Sequence, residues 1–487
     1  MLEKLKGLTR QTFIYGFGNI LVRMLTFILL PFYTNVLPQK EYGIAILVMT
    51  FIAFMNHVYR YGMDSAILKF YNKADTDNIK RKILSSGFYL NLITGIILSF
   101  LLLLFRDQLA DFLIAEGTAN YVKYAAFILF FDCLSWIPMA LLRLKEKPRL
   151  FLAIRLVEVS LNLGLNIYFV VILRIGIKGI FLSTLISAST KFLLLFLTII
   201  KELSLQFSWS SAKELVLFGI PLMPTGLTLS AMQLINRKFI IEKFLGPDEV
   251  GLYGAGYKLG KFMMLVSVAF YYAWQPFFLK SGINQESKKL FSRVLTYFTF
   301  VALYIWLGLT IFIRNIANIH VKNSYLIDPD YHACLKIVPF VLLAFVFYGI
   351  YQIFLPGIYY KKKTKYIALN MLSAGVINVG LNYLLVPKIG IIGASFGTLT
   401  GFIILALLTF YKSQQLIKVN YEYFRLLILM IVFIPAGLGI FYLQVNFIIR
   451  ILVLLLIPIL LFIFPFFHKE ELGYIKKVFK KRLNMQE

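Results

Sequence analysis

The chain has 487 residues, 60% of them hydrophobic and 15% charged, and its mean hydropathy is +0.79. Apolar runs of about 20 residues recur along nearly its whole length, which excludes a soluble globular protein. Lys and Arg number 50 against 23 Asp and Glu, giving a formal net charge of +27; in such a chain the excess reads as membrane topology and contact with anionic lipid rather than nucleic-acid binding.

The pattern predicts an all-α integral membrane protein with about fourteen transmembrane helices, at 12–33, 41–62, 83–105, 119–142, 150–173, 176–200, 214–240, 250–275, 291–314, 334–359, 365–387, 390–411, 421–443 and 446–467. The first run is too long for a signal peptide and lacks a small-residue cleavage site. It carries Arg23 near its middle, between Phe13 and Tyr33. A charge at the bilayer centre costs roughly 2.5–3.5 kcal/mol even on lenient insertion scales, so such residues usually face an internal cavity. Arg60 falls at the end of the second span, where a snorkelling arginine is the plainer reading. Asp132 on the fourth span and Lys191 on the sixth can neutralise each other. Pro221 and Pro224 interrupt the seventh span.

The eighth span holds Gly251, Gly254, Gly256 and Gly260, with Lys258 and Lys261 near mid-depth. Three residues apart, the two lysines share a helical face. "GAGYKLGK" lacks the glycine and the Ser or Thr that a phosphate loop requires at Ala255 and Phe262, so an ATP-driven pump is disfavoured. The longest loop on the side poor in basic residues runs only from Arg314 to Tyr331, too short for a folded catalytic domain. His57, His320, His332 and His468 form no motif, and Cys133 and Cys334 suggest neither a disulfide framework nor a thiolate metal site. No catalytic and no metal-ligating set is expected.

Basic residues crowd alternate loops, at Lys4–Arg10, Lys69–Lys82, Arg143–Arg149, Lys280–Arg293, Lys361–Lys365, Lys412–Arg425 and the tail Lys469–Arg482. By the positive-inside rule both termini are cytoplasmic, consistent with an even number of spans. An internal repeat supplies the organisation. "NLGLN" at Asn162–Asn166 returns as "NVGLN" at Asn378–Asn382, and "RIGIKGIFLSTL" from Arg174 returns as "KIGIIGASFGTL" from Lys388. Six spans separate the copies, so both halves share one orientation, the parallel-repeat plan of rocking transporters. The expected division is a six-helix bundle over 1–205, a second over 206–415, two further helices over 416–468 and a basic cytoplasmic tail over 469–487.

"NRKFIIEKFLGPDEVGLYGAGYKLGKF" from Asn236, "AWQPFF" from Ala273, "PFYTNVLPQKEYGIA" from Pro31 and "RYGMDSAILKFY" from Arg60 carry a resemblance. The chain resembles the polysaccharide repeat-unit flippases of the multidrug/oligosaccharidyl-lipid/polysaccharide exporter superfamily, relatives of the lipid II flippases. The resemblance implies a bacterial cytoplasmic-membrane carrier that moves undecaprenyl-diphosphate-linked oligosaccharides by alternating access. Helices 1, 2, 7 and 8 would line a cationic cavity, placing Arg23, Arg60, Lys258 and Lys261 on the substrate. Asn236, Asn378, Asn382 and Thr398 match a sodium site of some lipid II flippases, but without its carboxylates, so hydrogen bonding between helices is the stronger reading for them. No cofactor is implied; a sodium or proton gradient is one energy source left open. The implied partners are the glycan lipid and membrane lipids, with polymerase and glycosyltransferases of the same pathway as further candidates and no nucleic acid. A multidrug or lipid II exporter and a membrane glycan polymerase remain the competing readings.

Overall fold

The computed structural model describes residues 27–114, 117–321, 324–463 and 466. In chain order its helices are α1 (Phe27–Val36), α2 (Gln39–Arg60), α3 (Met63–Lys73), α4 (Asp77–Leu104), α5 (Arg106–Leu113), α6 (Ala119–Leu144), α7 (Pro148–Asn166), α8 (Ile177–Ile199), α9 (Trp209–Gly219), α10 (Met223–Leu234) and α11 (Lys243–Leu245). There follow α12 (Pro247–Gly260), α13 (Phe262–Ser281), α14 (Gln285–Ala317), α15 (Val338–Ile353), α16 (Pro356–Tyr360), α17 (Lys365–Ile389), α18 (Ile391–Leu416), α19 (Tyr423–Leu443) and α20 (Phe447–Ile463). Between α14 and α15 a two-stranded antiparallel hairpin pairs His320–Val321 with Ser324–Tyr325.

Local chemistry sets many of the boundaries. Thr76, Ser208 and Asn284 cap α4, α9 and α14 with their side-chain oxygens, satisfying backbone N–H groups that no helix turn can reach. Pro148, Pro247 and Pro356 open α7, α12 and α16 at the position where a missing N–H costs nothing. Eleven helical segments among the described residues are long and apolar enough to cross a membrane. A twelfth is the pair Trp209–Leu222 and Gly226–Leu245, bent by 55° where Pro221 and Pro224 withhold backbone donors. The protein is therefore a multi-pass membrane protein. Two shorter apolar helices, Phe27–Val36 and Phe447–Leu461, stand where the first and last expected spans run, and most of the expected first span lies outside the described residues.

Two expected boundaries shift. The second span does not stop at 62: the helical segment continues to Lys73 through a turn at Tyr61 and Gly62, both at positive φ. Arg60 thus closes α2 at a turn inside a longer helical segment rather than at the end of the span. The eighth span runs from Pro247 to Ser281 with a break at Lys261, which ends α12 and begins α13.

Matching positions of the repeated motifs share local geometry. Gly176 and Gly390, at equivalent places in the two copies, adopt φ 63°, ψ −145° and φ 63°, ψ −148°, a region open to glycine and strained for other residues. Packing follows the same pairing. In the first half α8 lies against α6 and α7, and α4 against α6; in the second half α18 lies against α15 and α17, and α14 against α15. The two halves meet through α2 packed on α10 and α12, and through α9 packed on α3 and α4. At the α2–α12 crossing the backbones touch: a Cβ on Gly43 would stand 1.8 Å from the Pro247 carbonyl oxygen, and one on Gly251 2.3 Å from that of Gln39. Apolar surface gives little drive for association in lipid, so such close backbone contact is how membrane helices hold together. Helix α19 packs on α14, and α20 packs on both.

Candidate substrate chamber between the halves

The candidate site gathers side chains of α1, α2, the π-helical segment Ile235–Glu242 and α12. On α12, the Lys258 ammonium lies 5.3 Å from the centre of the Tyr33 ring, within cation–π range. Lys261 follows at the break, close enough to Lys258 for the two charges to feel one another. Lys258 lies in the last turn of α12 and Lys261 in the break before α13, so the two do not lie on one uninterrupted helix. Arg23 lies outside the described residues.

Tyrosines surround this cationic corner. The Tyr33 hydroxyl donates to Asn166 Oδ1 at 2.7 Å, tying α1 to the first copy of the repeated asparagine motif. The Tyr33 and Tyr42 rings lie 5.9 Å apart, as do those of Tyr42 and Tyr331. The Tyr253 and Tyr257 rings lie 5.6 Å apart on α12, tilted by 37°.

A further cation stands here that sequence reasoning did not single out. Arg237 donates through Nη1 to Thr50 Oγ1 at 2.5 Å, and its guanidinium lies 5.3 Å from the Tyr257 ring centre. Its signal in the sequence was weak, because "NRK" near the end of span seven looks like an interfacial cluster. The π-helical winding of 235–242 is a local irregularity of the sort often found at functional sites.

Arg60 is engaged differently. Both its Nε and Nη2 bond to the Asp64 carboxylate, Arg143 approaches the same carboxylate at 3.8 Å, and the Arg60 guanidinium covers Trp136 at 4.3 Å. These partners all belong to the first half, and the structure does not bring Arg60 into contact with Lys258 or Arg237. Deeper in that half, Lys191 Nζ donates to Asp132 at 2.5 Å and to Glu158 at 2.9 Å. Arg155 holds Glu158 at 2.6 Å and Asn56 donates to Asp132 at 3.1 Å. The Asp132–Lys191 pair read from the sequence is one edge of this larger network.

Of the four residues weighed for a coupling cation, the three asparagines bond to one another and Thr398 bonds elsewhere. Asn236 Nδ2 donates to Asn378 Oδ1 at 2.7 Å, Asn382 Nδ2 donates to the same oxygen at 3.3 Å, and Thr398 Oγ1 lies 3.3 Å from the Tyr253 hydroxyl. All four are buried. The first half repeats the theme: Asn166 Nδ2 lies 3.1 Å from Asn162 Oδ1, and Asn162 Nδ2 lies 3.5 Å from Thr184 Oγ1. Among the described residues no group of three or more His, Cys, Asp or Glu is placed to hold a metal ion. The amides do leave Asn236 Oδ1 and Asn382 Oδ1 buried and unpartnered, so two hard oxygen donors are available to a small cation, without a carboxylate in hydrogen-bond contact.

Comparison with known families decides the lineage. A family model described as "Polysaccharide biosynthesis protein" matches residues 34–326, more than half of the chain. The chain belongs to the polysaccharide biosynthesis protein family. The matched residues include Arg237, Lys258 and Lys261. No curated protein sequence matches it. Among solved structures, the lipid II flippase MurJ in its inward closed conformation superposes with a TM-score of 0.73 at 17% identity, covering 91% of this chain and 96% of that one. An inward-facing multidrug resistance MATE family transporter of the MOP superfamily gives 0.66 at 15% identity, covering 84% and 95%. The Vibrio cholerae MATE transporter VcmN, as a D35N mutant, gives 0.54 at 17%, covering 84% and 97%. This member of the polysaccharide biosynthesis protein family therefore has the flippase and exporter fold.

Proposed function

We propose that the protein flips undecaprenyl-diphosphate-linked oligosaccharide repeat units across the bacterial cytoplasmic membrane, by alternating access, for cell-surface polysaccharide synthesis. It acts as a secondary transporter with fourteen spans and cytoplasmic termini, not as an enzyme. The observation that carries this reading is the set of cations between the halves, Lys258, Lys261 and Arg237, in a chain of the polysaccharide biosynthesis protein family. A diphosphate offers several acceptor oxygens, and charge-assisted hydrogen bonds are roughly twice as strong as neutral ones. A carrier for cationic drugs would be served by carboxylates at this place instead.

Arg23 and Arg60 complete the proposed substrate set, Arg60 acting after release from Asp64. Coupling to sodium or protons through Asn236, Asn378, Asn382 and Thr398 belongs to the same proposal. The test is flipping of an undecaprenyl-diphosphate oligosaccharide in proteoliposomes. Lys258→Ala combined with Lys261→Ala is expected to reduce the rate about tenfold or more while a neutral dolichol-type lipid is unaffected. Wild-type rates in the double variant would overturn the cationic chamber, and rates indifferent to both gradients would remove the ion coupling.

A further inference from the structure

The two ends of the interface between the halves are closed by different chemistry. At one end α2 crosses α12, Gly43 against Pro247 and Gly251 against Gln39, and the atoms that meet are backbone. Toward the other end α2 meets α10 through an imidazole. A Cβ on Gly226 would stand 2.3 Å from His57 Cδ2 and 2.7 Å from His57 Nε2, so this edge of the ring fills the space a side chain would need. Gly226 opens the second limb of the bent span, Gly226–Leu245. Just beyond His57 the Gly62 backbone meets that of Gly219, on the first limb. The imidazole therefore lies between the halves, at the bend of a broken helix.

Its hydrogen bonds fix where a proton would go. Nδ1 lies 3.0 Å from the Ala53 carbonyl oxygen and 3.4 Å from Ser230 Oγ. A carbonyl oxygen only accepts, so the neutral ring carries its hydrogen on Nδ1 and leaves Nε2 as the base. Nε2 is the atom turned to the Gly226 methylene, which accepts no hydrogen bond, and among the described residues it has no other acceptor. A charged N–H left without an acceptor is costly, and the ring must leave the glycine for water to supply one.

No neighbouring charge of the described residues is placed to hold an imidazolium where the neutral ring sits. On α2, Arg60 follows one turn later and is bound to Asp64, while Lys40 and Glu41 lie in the opening turn. Helix α10 carries no charged residue. Asp132 and Arg143 of α6 and Lys191 of α8 are engaged within the first half, and Lys258 of α12 lies over Tyr33. Arg237 reaches α2 at Thr50, two turns away. The remaining charges, Asp77–Lys82 on α4, Lys123 on α6, Lys178 on α8 and Asp248 and Glu249 on α12, lie in the opening turns of their helices.

We propose that His57 is a proton-sensitive latch between the halves, acting only at the end of the interface opposite the α2–α12 crossing. The neutral ring seats on Gly226 and holds that end shut; a proton on Nε2 unseats the ring and shifts the population toward a form open there. Histidine changes charge between about pH 5 and 8, so the latch works in the range a cell meets. This rests on the alternating access proposed above and gives it a pH-dependent bias, whatever the cargo.

The test uses the purified full-length protein in detergent, spin-labelled at Arg149→Cys and Lys363→Cys and read by pulsed electron paramagnetic resonance. Both positions are exposed, one in each half, and the native Cys133 and Cys334 are buried. With His57 intact, the short-distance population at about pH 8 is expected to give way largely to a longer one at about pH 5.5. His57→Gln and His57→Asn are expected to lose that shift. Gly226→Ala, whose methyl group displaces the ring, is expected to show the longer population at both pH values. The latch is overturned if the protein with His57 shows no shift, if the shift survives in both His57 variants, or if Gly226→Ala matches its parent at about pH 8. Absence of glycan-lipid flipping with the His57-dependent shift intact would instead count against the proposed cargo and leave the latch standing.

Discussion

Lys191 shows what an ionised side chain needs in order to remain inside a membrane bundle. Its side chain is 7% exposed and held by two carboxylates that are themselves mostly covered. Removing one member of a buried ion pair leaves an uncompensated charge and costs about 3–5 kcal/mol. Lys191→Met should therefore lower the melting temperature in detergent sharply. Adding Asp132→Asn should recover most of the loss, because Glu158 keeps Arg155 as its partner. A single variant as stable as wild type would show that the network contributes nothing to the fold. The sequence displayed Asp132 and Lys191 as charges in apolar runs, but not Glu158 and Arg155: three apart on one span, those two look like an ordinary surface pair. Lys258 and Lys261 were legible for the same reason as Lys191. Arg237 was not, since its setting comes from Thr50, distant in the chain, and from Tyr257 on the following span.

At the scale of elements, the repeat was the feature most readable in advance, because motif copies fix local geometry. Equivalent glycines take equivalent angles at positive φ, and the equivalent Asn pairs, 162 with 166 and 378 with 382, bond to one another in both copies. What the pattern could not reveal was where helices stop. The turn at Tyr61–Gly62 and the break at Lys261 lie inside stretches whose periodicity continues through them; beside the first the Gly62 backbone meets that of Gly219, and beside the second Gly260 packs on Val341, contacts made by residues distant in the chain. The α2–α12 crossing depends on glycine in a way that can be tested. A side chain on Gly43 meets the Pro247 carbonyl at a distance no contact tolerates, so Gly43→Val must push the helices apart at that end. Val250, adjacent to the crossing, is fully buried. Maleimide labelling of Val250→Cys should be slow in the wild-type background and many times faster with Gly43→Val. Equal rates would mean that the crossing does not close this end of the chamber.

For the whole molecule, the direction of transport depends on which side of the membrane each end of the chamber faces, and charge decides that. The basic loops Arg143–Arg149 and Lys361–Lys365 lie at one end of their halves, and the loop after Ala317 lies at the other end of its own helix. Translocating a basic loop works against the membrane potential, whereas the loop after Ala317 carries few cations. The end with the α2–α12 crossing adjoins that poorly charged side: Asn35 Nδ2 bonds the Tyr325 carbonyl at 2.8 Å, and the Tyr331 hydroxyl bonds the Leu37 carbonyl at 2.8 Å. If both termini are cytoplasmic, this contact seals the chamber from the outside. In intact cells an impermeant thiol reagent should then label Asn318→Cys and spare Lys363→Cys until the membrane is permeabilised. The reverse pattern would invert the molecule, turn the sealed end toward the cytoplasm, and require the cargo to travel inward.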